Sequence, residues 1–156
     1  PDLIFAMAIM TFMGKGVLNL FIALGLLTWV RTARMIRGSV MQLKEKEYIE
    51  ASRACGASTY WIIMKGLVPN CLSTIIVLVT LGIPNAIMYE ASLSFLGIGI
   101  QPPTPSWGNM ISAAQTFISF RPVYSIMPGV AIMITVIAFN IFGDGLRDAL
   151  DPKLKN

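Results

Sequence analysis

Residues 31–69, RTARMIRGSVMQLKEKEYIEASRACGASTYWIIMKGLVP, decide the fold, because they form a charged insert set between long apolar runs. Seven of the chain's twelve cations fall in the insert: Arg31, Arg34, Arg37, Lys44, Lys46, Arg53 and Lys65. Directly after it, residues 70–89 contain no charged side chain, and neither do residues 122–142. About 20 residues at 1.5 Å rise match a hydrocarbon core of roughly 30 Å, so both runs are read as membrane spans. Residues 16–30 form a shorter span that extends through Met13 or through Arg31, whose charged head would snorkel to the interface. Residues 3–13 have the length of a buried core helix or of the second half of a spanning helix.

Composition agrees. Hydrophobic residues make up 55% of the 156 and charged ones 13%, about half the share of roughly 25% found in soluble domains. Disorder, a collagen-like repeat and a disulfide scaffold are excluded by the high hydrophobicity, the lack of a Gly-X-Y period and the presence of only two cysteines. Cys55 and Cys71 are read as reduced thiols. With no histidine in the chain, histidine catalysis and histidine metal ligation are excluded within it. The net charge of +4 comes from cations flanking apolar runs, which suits a lipid bilayer and not nucleic acid. Met7, Met10 and Met13 are read as an apolar helix stripe and not as a metal site. Gly14-Lys15-Gly16 lacks the pattern of a phosphate loop.

Positive charge sets the topology. Lys15 and Arg121 are isolated between spans, whereas the other ten cations fall in residues 31–65 and in the tail with Arg147, Lys153 and Lys155. Residues 31–65 are therefore read as cytoplasmic, residues 90–121 as external, and both chain ends as inside. The chain begins Pro1-Asp2, with no initiator methionine and no signal peptide, so an N-terminally trimmed fragment is expected.

An insert of this length is too long for a simple turn. Ile36, Val40 and Leu43 recur at helical spacing and would carry the preceding span out of the membrane. Glu47, Glu50, Ala51 and Ala54 share a face, with Lys46 to Glu50 and Glu50 to Arg53 at pairing distance along a helix. Gly56 is placed to end that helix, and Ser58 to cap a second short one running through Trp61 and Ile62 towards Pro69. Small residues at Ala51, Ser52, Ala54 and Ala57 would let a partner surface approach closely. The simpler reading of the insert is a solvated basic loop held inside by its charge.

Beyond the insert, Gly97, Gly99, Pro102, Pro103, Pro105 and Gly108 forbid a continuous helix. Trp107 suits the headgroup level, and residues 109–120 carry Met110, Ala113, Ala114 and Phe117 on one face of an interfacial helix. Glu90 is either a solute contact or a brace where the chain leaves its helix. Asp144, after Gly143, is expected to cap a short tail helix containing Arg147, Asp148 and Asp151.

Glu50-Ala51-Ser52, then Gly56, then Gly66-Leu67-Val68-Pro69 resembles the E-A-A loop of ABC importer permeases, with Ser52, Gly66 and Val68 replacing the usual Ala, Ile and Leu. The stretches EASLSFLG (90–97), QPPTPSWGN (101–109) and FNIFGDGLRDALDP (139–152) extend the likeness over essentially the whole chain, to the second permease subunit of dipeptide, oligopeptide and nickel importers. The resemblance implies an all-α membrane protein with the type I ABC importer fold. Residues 1–156 would form one permease domain with about four spans, a cytoplasmic coupling loop at 31–69 and an external loop at 90–121, two further spans lying before it. It implies a bacterial or archaeal cytoplasmic membrane. The implied partners are a second permease subunit, two ATPase subunits that carry ATP and Mg, and an external substrate-binding protein, with no cofactor in this chain. Glu47, Glu50, Ala51, Ser52, Gly56 and Pro69 would couple to the ATPase, and Glu90, Ser94 and Trp107 would line or gate the path. The alternative is an ion-coupled carrier or channel with no ATPase.

Overall fold

The structure, a computed structural model, describes residues 2–150, in which helices are joined by turns and loops and no strand occurs. Its elements are α1 (Asp2–Met13), α2 (Val17–Lys44), α3 (Glu47–Ala54), α4 (Thr59–Trp61), a π-helical turn (Ile62–Leu67), α5 (Val68–Phe95), α6 (Trp107–Ala114), a 3-10 turn (Gln115–Phe117) and α7 (Val123–Leu150). Three helical stretches are long and apolar enough to cross a membrane: Val17–Lys44, Thr59–Phe95 and Val123–Leu150. Helix α1 is apolar but shorter, and it packs beside α2.

Helix α5 organises the rest by contacting α1, α2, α6 and α7. Towards its C-terminal end, Leu93 is fully buried with Ala6 and Met10 of α1 and Leu20 and Ala23 of α2. Much of the remaining apolar surface is open, with Phe12, Phe21, Phe120 and Ile141 among the most exposed side chains. In water such a surface would drive aggregation, whereas in lipid it needs no cover.

Several elements differ from the sequence reading. The second cytoplasmic helix does not stop at Pro69; α4, the π turn and α5 form one continuous stretch, Thr59–Phe95. Pro69 has no N–H, and its ring crowds the carbonyl one turn back. The wider turn before it absorbs this, with the Val68 N–H donating to the Ile63 carbonyl. The span read as ending at Tyr89 runs on through Glu90 to Phe95, because Ser94 offers the Glu90 carboxylate an internal hydrogen bond.

Asp144 caps no separate helix. It lies inside α7, which continues through Gly143 and Gly145 because Gly143 is pressed against Leu81 of α5. Asp151, Lys153 and Lys155 lie outside the described residues. The interfacial helix is shorter than expected and begins at Trp107, where the Ser106 hydroxyl accepts from the Asn109 N–H. It turns Gly108 and Ala114 inward and leaves Met110 and Phe117 exposed, because small residues allow close packing on α5 and α7.

The head of Arg31 finds a partner within the chain. Its guanidinium donates to the Asp2 carboxylate at 2.8 Å, and the Tyr89 hydroxyl donates to the same Asp2 oxygen at 3.1 Å. A carboxylate within reach relieves the cost of a cation part-way along an apolar helix.

Candidate coupling site

Helix α2 projects beyond its apolar half as far as Lys44, and α3 begins three residues later. Glu47 and Glu50 fall in the first turn of α3 and Arg53 in its last, the arrangement its helix dipole favours. The helix is held from beneath by Ile49, which is 1% exposed and packs with Ile62 and Leu67 against Val40, Leu43 and Ala57. This small core joins α2, α3 and the start of the long span into one unit.

A polar lock reinforces it. The Tyr48 hydroxyl donates to the Gly66 carbonyl at 3.1 Å, and the Asn70 amide donates to that carbonyl at 2.7 Å and to the Tyr48 hydroxyl at 3.3 Å. Ser52 donates back to the Tyr48 carbonyl at 2.7 Å, so its hydroxyl is engaged within α3.

The end of α3 is closed at Gly56, whose φ is 77°. The Gly56 N–H donates to the Arg53 carbonyl and the Ala57 N–H to that of Ser52, the paired bonds of a Schellman motif. Two residues on, the Ser58 hydroxyl accepts from the Trp61 N–H at 3.3 Å and starts the next helix. Helix, tight turn and helix are thus where the local signals placed them.

Glu47, Glu50, Ala51 and Gly56 are exposed, Ser52 is half-buried, and Pro69 lies exposed on the long span near the π turn. The anticipated pairing of Glu50 with Lys46 and Arg53 does not form; among the described residues the only ion pair is Arg31 with Asp2. Solvated side chains on a short helix gain little from pairing, which leaves both glutamates open to a partner. Tyr60 and Trp61, 73% and 50% exposed, stand at the start of the next helix, and aromatic anchors of this kind dominate many interfaces. The sequence reading singled out neither Tyr48 nor Asn70; the spacing of Asn70 four residues after Gly66 was the available signal.

At the far end of α5, Glu90 and Trp107 line one open cavity of about 420 Å³ with Ile100, Pro105, Ser106 and Met110. Ser94 does not face it. Ser94 is 1% exposed and lies behind Glu90, donating to the carboxylate at 2.7 Å and accepting from the Ile100 N–H at 2.9 Å. The brace is thus formed from inside the helix, and it ties the carboxylate to the loop that follows.

The sequence profile described as binding-protein-dependent transport system inner membrane component matches residues 1–156. The chain belongs to this family. It is a multi-pass inner-membrane protein of the ABC transporter permease class, a transport family and not a catalytic one. The permease is similar to glutathione transport system permease proteins GsiD from Escherichia coli, Shigella flexneri serotype 5b and Shigella sonnei, each 43% identical over 155 residues. These alignments cover 99% of the chain and 51% of each relative, so the permease chain spans about half the length of the curated relatives it matches.

Proposed function

We propose that the chain contributes half of the translocation path in an ATP-driven, binding-protein-dependent importer of peptide-type solutes, and that α3 is the coupling helix. The observation that carries this is the rigid corner around Ile49. An exposed acidic, small-residue face is bolted through Tyr48, Gly66 and Asn70 to the first turns of a 37-residue helical stretch. Displacement of such a helix moves the span as a rigid body, whereas a flexible loop would absorb it. Two separate ATPase subunits would seat on α3 and its counterpart on a second permease subunit, hydrolyse ATP with Mg, and rock the spans; an external binding protein would deliver solute.

Glutathione, a peptide-type solute, is the transported compound named for the relatives, and a dipeptide or oligopeptide is of the same chemical class. Nickel, the third solute of the resembled group, draws no support from the residues at either site. Glu90 and Trp107 are proposed to line the external mouth, with Ser94 fixing the position of Glu90.

The Asp2, Arg31 and Tyr89 cluster within the apolar helices is the one observation favouring an ion-coupled carrier. Uptake separates the two. In proteoliposomes holding the complete transporter, with binding protein outside, labelled glutathione or dipeptide should accumulate only when hydrolysable ATP is inside. Accumulation driven by an ion gradient without ATP would overturn the importer reading.

A further inference from the structure

Between α2, α5 and α7 lies a cleft of about 720 Å³ that borders the coupling corner, sharing Leu43 and Asn70 with it. Its walls change character along their length. On α5, Asn70, Ser73 and Thr74 line the end nearest the charged insert, and Val77, Leu78 and Leu81 line the end towards the middle of the span. On α2, Met35 stands at the apolar end and Ser39, Gln42 and Leu43 follow, with Lys46 beyond the helix just before α3. The gradient from Asn70 to Leu81 runs over roughly 16 Å of helix. That is the profile of one lipid leaflet at its boundary, polar at the headgroup level and apolar along the chains.

Charge identifies what the polar end suits. The ionisable residues lining the cleft are Lys46 and Arg147, both cationic and both exposed, and among the described residues neither is in an ion pair. Ser39, Gln42, Asn70, Ser73 and Thr74 line the same cleft, and no carboxylate lines it among the described residues. A basic pocket between spans on the cytoplasmic side attracts the anionic headgroups of that leaflet.

We propose that the cleft between α2, α5 and α7 binds an anionic phospholipid, its phosphate held by Lys46 and Arg147 and its chains lying against Val77, Leu78 and Leu81. Lys46 is also the residue that precedes α3, so the bound lipid braces the corner from which the coupling helix departs. The cytoplasmic placement rests on the distribution of positive charge and not on the importer reading.

The test uses the complete transporter with full-length permease, purified from nanodiscs of mixed phosphatidylglycerol and phosphatidylcholine, with retained lipids counted by native mass spectrometry. Wild type should keep phosphatidylglycerol in preference. At about 1 kcal/mol per cation near an anionic surface, the double variant Lys46→Gln, Arg147→Gln should lose about thirtyfold of that preference. The charge-keeping pair Lys46→Arg, Arg147→Lys should retain it, separating a charge effect from a folding effect.

Unchanged preference in the Gln pair would overturn the proposal. So would displacement of the lipid by soluble glycerol phosphate at equal concentration, which would indicate a free-phosphate site. A photoreactive group at Ser73 that captured a segment of the permease itself, in place of lipid, would overturn it as well. None of these outcomes depends on whether the transporter moves peptides.

Discussion

Replacing Gly56 with valine is expected to leave the permease inserted and assembled while lowering uptake at least tenfold, with ATP hydrolysis continuing. Gly56 sits at φ 77° and closes α3 through two backbone hydrogen bonds. An L-residue in that left-handed region costs roughly 1–2 kcal/mol, and a β-branched one more. About 1.4 kcal/mol is a tenfold change in population, so the closed turn loses at least that much ground to opened forms in which α3 does not move as one body with the long span.

Nothing lies within 4 Å of a Cβ built at Gly56, so the effect comes from the backbone and not from a clash. Asparagine tolerates this region. Gly56→Asn should therefore keep uptake within a few-fold of wild type. Parallel assays of uptake and hydrolysis on the two variants decide the matter, and normal uptake by Gly56→Val would remove the turn from the mechanism.

The second large effect is on stability. A Cβ at Gly108 would run into the carbonyl oxygen of Ala91 and stand 2.9 Å from its carbonyl carbon. Those are backbone atoms of α5, which cannot swing aside as a side chain can. Overpacking typically costs 1–3 kcal/mol, and Gly108→Val, with three added carbons against a rigid wall, belongs at or above the upper end. The variant should lower the thermal midpoint of the purified transporter by several degrees or fail to accumulate. Gly145→Ala is the matched control, because no atom lies within 4 Å of its added Cβ and alanine is the better helix former; it should be neutral or slightly stabilising. Equal midpoints for the two variants would show that α6 is not seated on α5 as described.

The contrast between these glycines shows what could be read before the structure. Gly56 was legible because a helix stop is a local signal: a run of small residues, a glycine, and Ser58 two positions on. The spans were legible for a similar reason, since apolar length is a property of short windows. Gly108 looked like one more loop breaker among prolines, and its close approach to Ala91 exists only once α6 lies across α5. The partnership of Arg31 with Asp2 is likewise invisible to any local pattern, because the residues are 29 apart and meet only when α1 folds against α2.

The length of the long span was misjudged because Pro69 and Glu90 each look like boundaries. A π turn accommodates the first and Ser94 the second, and both are cooperative details of backbone and neighbour. At the candidate coupling site the exposed face was anticipated, but not what fastens it. Ile49 reads as an ordinary apolar residue, and Tyr48 reaches Gly66 across 18 positions of sequence.

The central claim is that the exposed face of α3 is gripped from the cytoplasm by an ATPase. The most direct measurement places one cysteine there, Ala51→Cys, in a full-length permease whose own Cys55 and Cys71 have been replaced by serine and alanine. The complete transporter is then treated with a short bifunctional thiol reagent in inside-out membrane vesicles, against an ATPase carrying single cysteines around its surface. The account predicts a cross-linked permease–ATPase band that depends on Ala51→Cys and is absent when the cysteine is placed at Phe120 instead. Labelling of Ala51→Cys by a membrane-impermeant reagent added outside intact cells, or a cross-link to external components with none to the ATPase, would contradict it.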